Sequence, residues 1–214
     1  MPSDVFPGRL VAVVVASLLG LTLTAACEPL DDLATPTPVA SDAGLDALPV
    51  AEWAAMTGYK RDKFGDDWLS QGGGCDTRDV VLQRDGEGVV TGDDCKIRSG
   101  TWFSVYDGAS FTDPGEVDID HMVPLANAWR TGAQAWTEEQ RTAFANDLDR
   151  PQLIAVSMSS NRSKGDQDPS QWKPPRRESW CSYARSWIAV KAYWHLSVTS
   201  DEKAALAQML GTCS

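Results

Sequence analysis

The sequence predicts an α+β fold, and three observations predict it. Two short apolar strand patterns bracket a helical stretch in the middle of the chain. Several strand-and-turn segments precede them, and two amphipathic helical segments close the chain. At 214 residues there is room for one core of ordinary size behind a leader.

The elements follow in chain order. Arg9 precedes the 14-residue apolar run Leu10 to Leu23, and Thr24-Ala-Ala-Cys27 follows it. The run is short for a bilayer span and has the length of a signal-peptide core. Small residues before Cys27 are similar to a bacterial lipobox, although Thr24 stands where leucine is usual. Residues 1–27 are therefore expected to direct export, to a cell-surface lipoprotein with a lipid on Cys27 as the membrane contact or to a secreted protein, the alternative being an uncleaved membrane anchor. Residues 28–50 are rich in Pro, Ala, Asp and Thr without an apolar period, which predicts a flexible tether. The folded domain is then expected over 51–214.

Residues 51–70 carry Trp53, Met56, Tyr59, Phe64 and Trp68 and suggest a helix. Residues 75–106 suggest short strands, with hairpin signals at Asp85-Gly86 and Ser99-Gly100. "EVDIDHMV" and "QLIAVS" predict two strands separated by a helical insertion. In 179–212, Trp180, Ala184, Trp187 and Ile188 follow a helical period. Thr199 with Glu202 fits a capping box, and Gly211 a helix stop.

Export changes the cysteine count. With Cys27 used by lipid, Cys75, Cys95, Cys181 and Cys213 remain, an even number suited to two disulfides. No Cys-x-x-Cys argues for zinc. Three pairings exist; the local one, Cys75–Cys95 with Cys181–Cys213, is the simplest and would staple the two C-terminal helices.

The net charge of −11 argues against a purely electrostatic nucleic-acid binder. Charge is nevertheless uneven. From Arg150 to Lys191 there are eight Lys or Arg against three carboxylates, a strip suited to phosphates.

Of two histidines, His121 directly follows Asp120 in "DIDHMVPL", and forty residues later "SSNRSKGDQDP" follows the second strand. Strand, Asp-His, insertion, strand, then Asn-x-x-Lys-Gly on a helix resembles the HNH endonucleases with their ββα-metal finger. Together with "CDTRDVVLQRD", "FANDL" and "SWCSYARSWIAVKAYWHLSV", the order is similar to the exported bacterial subgroup of that family over residues 51–214. The resemblance implies a metal-dependent phosphodiesterase. His121 would be the general base, and Asp120 and Asn161 ligands of one divalent cation, magnesium by the hardness of oxygen donors. Lys164 and Arg78 would contact substrate. At the position where the family's middle asparagine usually stands, this chain has Gln152, so Asn146 is expected to brace the histidine loop. The substrate would be nucleic acid, DNA before RNA, and the chain a monomer.

Each residue alone has a plainer reading. Alternating Asp118 and Asp120 fit a solvent face, Asn161 a helix cap, and Lys164-Gly165 a helix end. His195 fits a surface position after a helix, and the tryptophans a core. Two other functions compete: a non-catalytic surface lipoprotein that keeps the fold for binding, and a cell-wall polymer hydrolase, for which no paired-carboxylate pattern stands out.

Overall fold

The computed structural model describes residues 42–214. The export segment, Cys27 and the first part of the tether lie outside the described residues. The tether ends sooner than its composition suggests. Helix α1 (Asp42–Asp46) leads into a turn, and Leu45 of the helix and Leu48 of the turn are buried in the main core. The chain then runs beside Val198, whose N–H donates to Pro49 O at 2.9 Å and whose carbonyl accepts from Ala51 N–H at 2.9 Å. Two leucines one helical turn apart supply the apolar anchor that a tether lacks.

Residues 51–70 do not form the expected helix. They are extended except for a 3-10 turn at Arg61–Phe64. Gly58 and Gly65 have φ of +75° and +105°, values that no helix accommodates. Of the five expected anchors only Phe64 is fully buried, packed edge-on among Tyr59, Trp129 and Phe144. Arg141 Nε donates to Lys63 O at 2.9 Å and fixes this turn on the domain.

Strands β1 (Ser70–Gly72) and β2 (Cys75–Asp76) pair antiparallel. The hairpin expected at Asp85-Gly86 is instead the junction between helix α2 (Thr77–Asp85) and strand β3 (Gly86–Thr91). A reciprocal cap decides this. Asp76 accepts from the Asp79 N–H, and the Asp79 side chain accepts from the Asp76 N–H, which starts a helix where turn residues alone suggest a strand. Strand β3, strand β4 (Ile97–Phe103) and strand β5 (Ser110–Phe111) form one antiparallel sheet in that order. Strand β4 passes through Ser99-Gly100 without turning. Cys75 is bonded to Cys95, tying β2 to the β3–β4 turn.

The two central strands are where the sequence places them. Strand β6 (Val117–His121) pairs antiparallel with strand β7 (Leu153–Ser157), with Asp120 opposite Ile154 and His121 opposite Leu153. Helices α3 (Leu125–Thr131) and α4 (Glu138–Ala145) fill the insertion, and α5 (Met158–Lys164) follows β7. Val117, Ile119, Leu153 and Ala155 pack with Val81, Leu82 and Trp102. Because strand side chains alternate, this burial turns Asp118 and Asp120 to the opposite face, toward α5.

Helices α6 (Trp180–Tyr193) and α7 (Ser200–Leu210) form the C-terminal pair, with the Thr199–Glu202 capping box and Gly211 as C-cap. Cys181 is bonded to Cys213. Each disulfide closes a loop of tens of residues, worth roughly 3 kcal/mol by chain entropy. A buried ion pair, Lys191–Glu202 at 2.8 Å, adds a second link, and Trp187 Nε1 donates to the same carboxylate at 2.6 Å. Trp129 and Trp187 are buried, and Trp136, Trp172, Trp180 and Trp194 pack against the same core, as expected of core residues. His195 is exposed just past α6.

Candidate active site

Helix α5 is set against β6 by its first turn. Ser157 Oγ accepts from the Ser160 N–H at 3.2 Å, and Asp107 accepts from the hydroxyls of both Ser157 and Ser160. Burial alone would raise the Asp107 pKa, but the hydrogen bonds from Ser157 and Ser160 prevail and hold it below the usual carboxylate range. The helix stops at Gly165, whose φ of +54° suits glycine after a last helical turn.

Asp120 is buried within this hairpin-and-helix unit. Its Oδ2 accepts from Tyr106 OH at 2.7 Å, and its carboxylate is 2.8 Å from Lys164 Nζ. Lys164 Nζ also donates to His121 O at 2.8 Å. The Lys164 side chain is 0% exposed, so it is not the phosphate contact that its position suggests. Asn161 and Lys164 do share a helix face, but that face lies under Asp120, where the ammonium neutralises a buried carboxylate. Burial pushes the Asp120 carboxyl up and the Lys164 ammonium down, each opposed by the charge of the other.

His121 ends β6. Its Nε2 lies 2.9 Å from Ala145 O. A carbonyl only accepts, so Nε2 carries the proton and Nδ1 keeps the lone pair of the neutral ring. Trp68 stacks on the imidazole, with centroids 5.5 Å apart and planes 14° from parallel. Burial, aided by the charges of Arg61 and Lys164 and opposed by the Ala145 carbonyl, lowers the imidazole pKa to about 3. The ring is therefore neutral in the folded protein at neutral pH. The unfolded chain binds this proton more tightly, so the stability contributed by a neutral His121 is complete above about pH 6.5. It is lost as pH falls toward 3, at about 1.4 kcal/mol per pH unit. Urea unfolding should show a loss of about 2 kcal/mol between about pH 6.5 and 5 that is missing in His121→Ala. An equal loss in both proteins would contradict the buried, neutral ring.

Asn161 faces β6 as expected. Its Nδ2 donates to Asp118 Oδ2 at 3.1 Å, which brings in Asp118, a residue that its sequence position alone marks as a solvent face. Asn146 and Arg78 are placed differently from expectation. Asn146 accepts from the Leu69 N–H at 3.0 Å and donates to Thr142 O at 3.0 Å, so it holds the segment that carries Trp68. The loop after His121 is held by Gln152, whose side chain accepts from the Val123 N–H at 3.1 Å and donates to Val123 O at 3.0 Å. One glutamine side chain thus satisfies both backbone groups of Val123. The Arg78 guanidinium donates to the carbonyls of Pro114 and Val117. It fixes the entry to β6.

The basic strip also divides. Lys164 and Lys191 are buried in ion pairs, Arg150 is paired with Asp147 and Asp149, and Lys173 and Arg177 lie over the Trp180 ring.

Two clefts meet at His121. One, of about 280 Å³, includes Asp120, Pro124, Asn161, Gly165 and Asp166 in its walls. The other, of about 220 Å³, includes Asp66, Asp67, Trp68, Ala145 and Asn146. Arg61, His121 and Leu125 line both.

Three oxygen donors could hold a small hard cation. Asp118, Asp120 and the Asn161 amide oxygen all come from the facing surfaces of β6 and α5. Among the described residues no three His, Cys, Asp or Glu side chains gather into a cage. One or two carboxylates completed by water and phosphate oxygens is the usual protein share of a magnesium site.

Comparison with known proteins gives the family. Residues 78–209 match the family model described as GmrSD restriction endonucleases, C-terminal domain, a span that includes Asp118, Asp120, His121, Gln152, Asn161 and Lys164. An "Uncharacterized secreted protein" of Arthroderma benhamiae is 52% identical over 191 residues, covering 85% of this chain and 93% of that protein. That relative is fungal, so the likeness is not tied to a bacterial subgroup. No solved structure matches.

Proposed function

Because the chain belongs to the family of the GmrSD restriction endonuclease C-terminal domain, a nuclease family acting on nucleic acid, we propose that it is a metal-dependent endonuclease of the HNH type with His121 as its general base. The observation that carries this reading is the placement of His121. This residue is held through Nε2 by a backbone carbonyl, lies where two clefts meet, and follows Asp120 directly.

In this reading His121 Nδ1 takes a proton from water as the water oxygen bonds to phosphorus. The bond from phosphorus to the departing sugar oxygen breaks, and that oxygen leaves with a proton from solvent. Asp118, Asp120 and Asn161 would hold the divalent cation, magnesium by donor chemistry, which when bound supplies positive charge to the phosphate and the leaving oxygen. Trp68 and Ala145 keep the imidazole in plane and in one tautomer. Lys164 and Tyr106 hold the Asp120 carboxylate, so it meets the ion without rearranging.

Export belongs to the same proposal. It is supported by the Leu10–Leu23 run and by the secreted description of the fungal relative. Lipid attachment at Cys27 and a monomeric state complete it, and the mass of the mature N-terminal peptide reads the first of these. The test of function is incubation of the purified domain with supercoiled plasmid and magnesium. Nicked and linear products that EDTA abolishes are expected. Intact plasmid under every divalent metal tried, with RNA also untouched, would leave a non-catalytic binding module in its place.

A further inference from the structure

We propose that Arg61 binds the scissile phosphate, a role left open once Lys164 is found buried. The proposal rests on the nuclease reading above and adds to it a substrate contact from outside the family match, which begins at residue 78.

The argument starts from what each cation is already doing. Lys164 and Lys191 are buried against carboxylates. Arg130 is tied to Asp166. Arg78 and Arg84 donate to backbone carbonyls. Arg141 holds the carbonyls of Lys63 and Trp136. Among the described residues, Arg61 is the one cationic side chain in the walls of both clefts that meet at His121. It is exposed, and it takes part in none of the ion pairs or side-chain hydrogen bonds found among those residues.

Its position is nonetheless fixed. It opens the 3-10 turn Arg61–Phe64, which is held by buried Phe64 and by the hydrogen bond from Arg141 to Lys63 O. The charge of Arg61 is near enough to act on the His121 ring. A free guanidinium on a fixed turn, lining the same cleft as the proposed base, Asp120 and Asn161, has the fork geometry that phosphate oxygens match.

The carboxylates nearby bear on where the phosphate would sit. Asp66 and Asp67 line the second cleft, and Asp67 accepts from the Trp68 N–H at 3.0 Å. Negative charge there disfavours a phosphate deep in that cleft and favours the junction, where Arg61 and His121 are shared. Arg61 is therefore a candidate catalytic residue, touching the reacting phosphate as its charge spreads in the transition state.

The test uses the full folded chain with Arg61→Ala and Arg61→Lys. Three readouts are taken: cleavage of linear DNA, cleavage of bis(p-nitrophenyl) phosphate, and quenching of tryptophan fluorescence by inorganic phosphate. Removing one preorganised donor should lower kcat on both substrates by about 10²–10³-fold, with partial recovery in Arg61→Lys. Phosphate affinity should fall roughly tenfold or more in Arg61→Ala. Thermal unfolding should be unchanged, because the side chain holds no other part of the protein. Wild-type kcat and wild-type phosphate affinity in folded Arg61→Ala would overturn the assignment and leave the nuclease reading intact. If the wild-type protein cleaves neither substrate, the nuclease reading fails. The phosphate titration then still decides Arg61: loss of binding in the alanine variant supports it as an anion-binding residue, and unchanged binding rejects it.

Discussion

Replacing His121 with alanine should lower nuclease turnover by about 10²–10⁴-fold, the usual contribution of a positioned general base. The effect should fall on kcat, because the ring is proposed to act on the attacking water and not to hold substrate. Its magnesium requirement should stay close to that of the wild-type protein, because Asp118, Asp120 and Asn161 remain in place. Ala145 O and the face of Trp68 lose their partner in this variant, so circular dichroism must show a folded domain before the rate is read. A folded His121→Ala that cleaves DNA at the wild-type rate would remove the base from the account.

The largest stability effect is expected at Lys164. Lys164→Ala leaves Asp120 buried without its ammonium, and the His121 carbonyl without a donor. Breaking a buried pair from one side typically costs about 3–5 kcal/mol, against a total stability of about 5–15 kcal/mol for a domain. The variant should unfold at markedly lower urea or populate the unfolded state at room temperature. The double variant Asp120→Asn, Lys164→Met removes the stranded charge as well and should recover most of the loss. If the single variant is as stable as wild type, the Lys164–Asp120 pair is not the buried link described above. Asp120→Ala has the mirror problem, since it strands the lysine, and so it cannot report on metal binding alone.

How far the sequence reaches is clearest at particular residues. Strands β6 and β7 were legible because each is a short apolar run bounded by turn residues, and α6 and α7 because their period and caps agree. Both disulfides followed from the local pairing of four cysteines. Helix α2 was not legible: Asp85-Gly86 signals a hairpin, and the competing signal, Asp76 capping with Asp79, is only two carboxylates three residues apart. Residues 51–70 carry apolar anchors at near-helical spacing, yet Gly58 and Gly65 break the helix, and only packing shows which anchors are used.

In the site, Asp120, His121 and Asn161 stand out by their order along the chain, because the strand and helix that carry them are local structures. Lys164 reads as a surface lysine, since nothing in its neighbours tells that its helix face is covered. Gln152 stands where the sequence marks the family's middle position, whereas Tyr106, Trp68 and Arg61 reach the site from separate segments. Their contacts are set by tertiary packing, and no spacing in the sequence encodes them. Asp118 was visible as the partner of Asp120 in the strand alternation, but only the hydrogen bond from Asn161 separates it from an ordinary solvent-facing residue.

The central claim is that β6 and α5 hold the cation beside a base supplied by His121. It is tested most directly by titrating cleavage of one DNA substrate with magnesium in the wild-type protein, Asp118→Asn, Asn161→Ala and His121→Ala, each confirmed folded. The account predicts that Asp118→Asn and Asn161→Ala raise the half-saturating magnesium by on the order of tenfold or more and regain activity as magnesium increases. His121→Ala should keep the wild-type magnesium midpoint with a rate that no amount of metal restores. Identical magnesium midpoints in all four proteins, or a His121→Ala defect repaired by more magnesium, would contradict it.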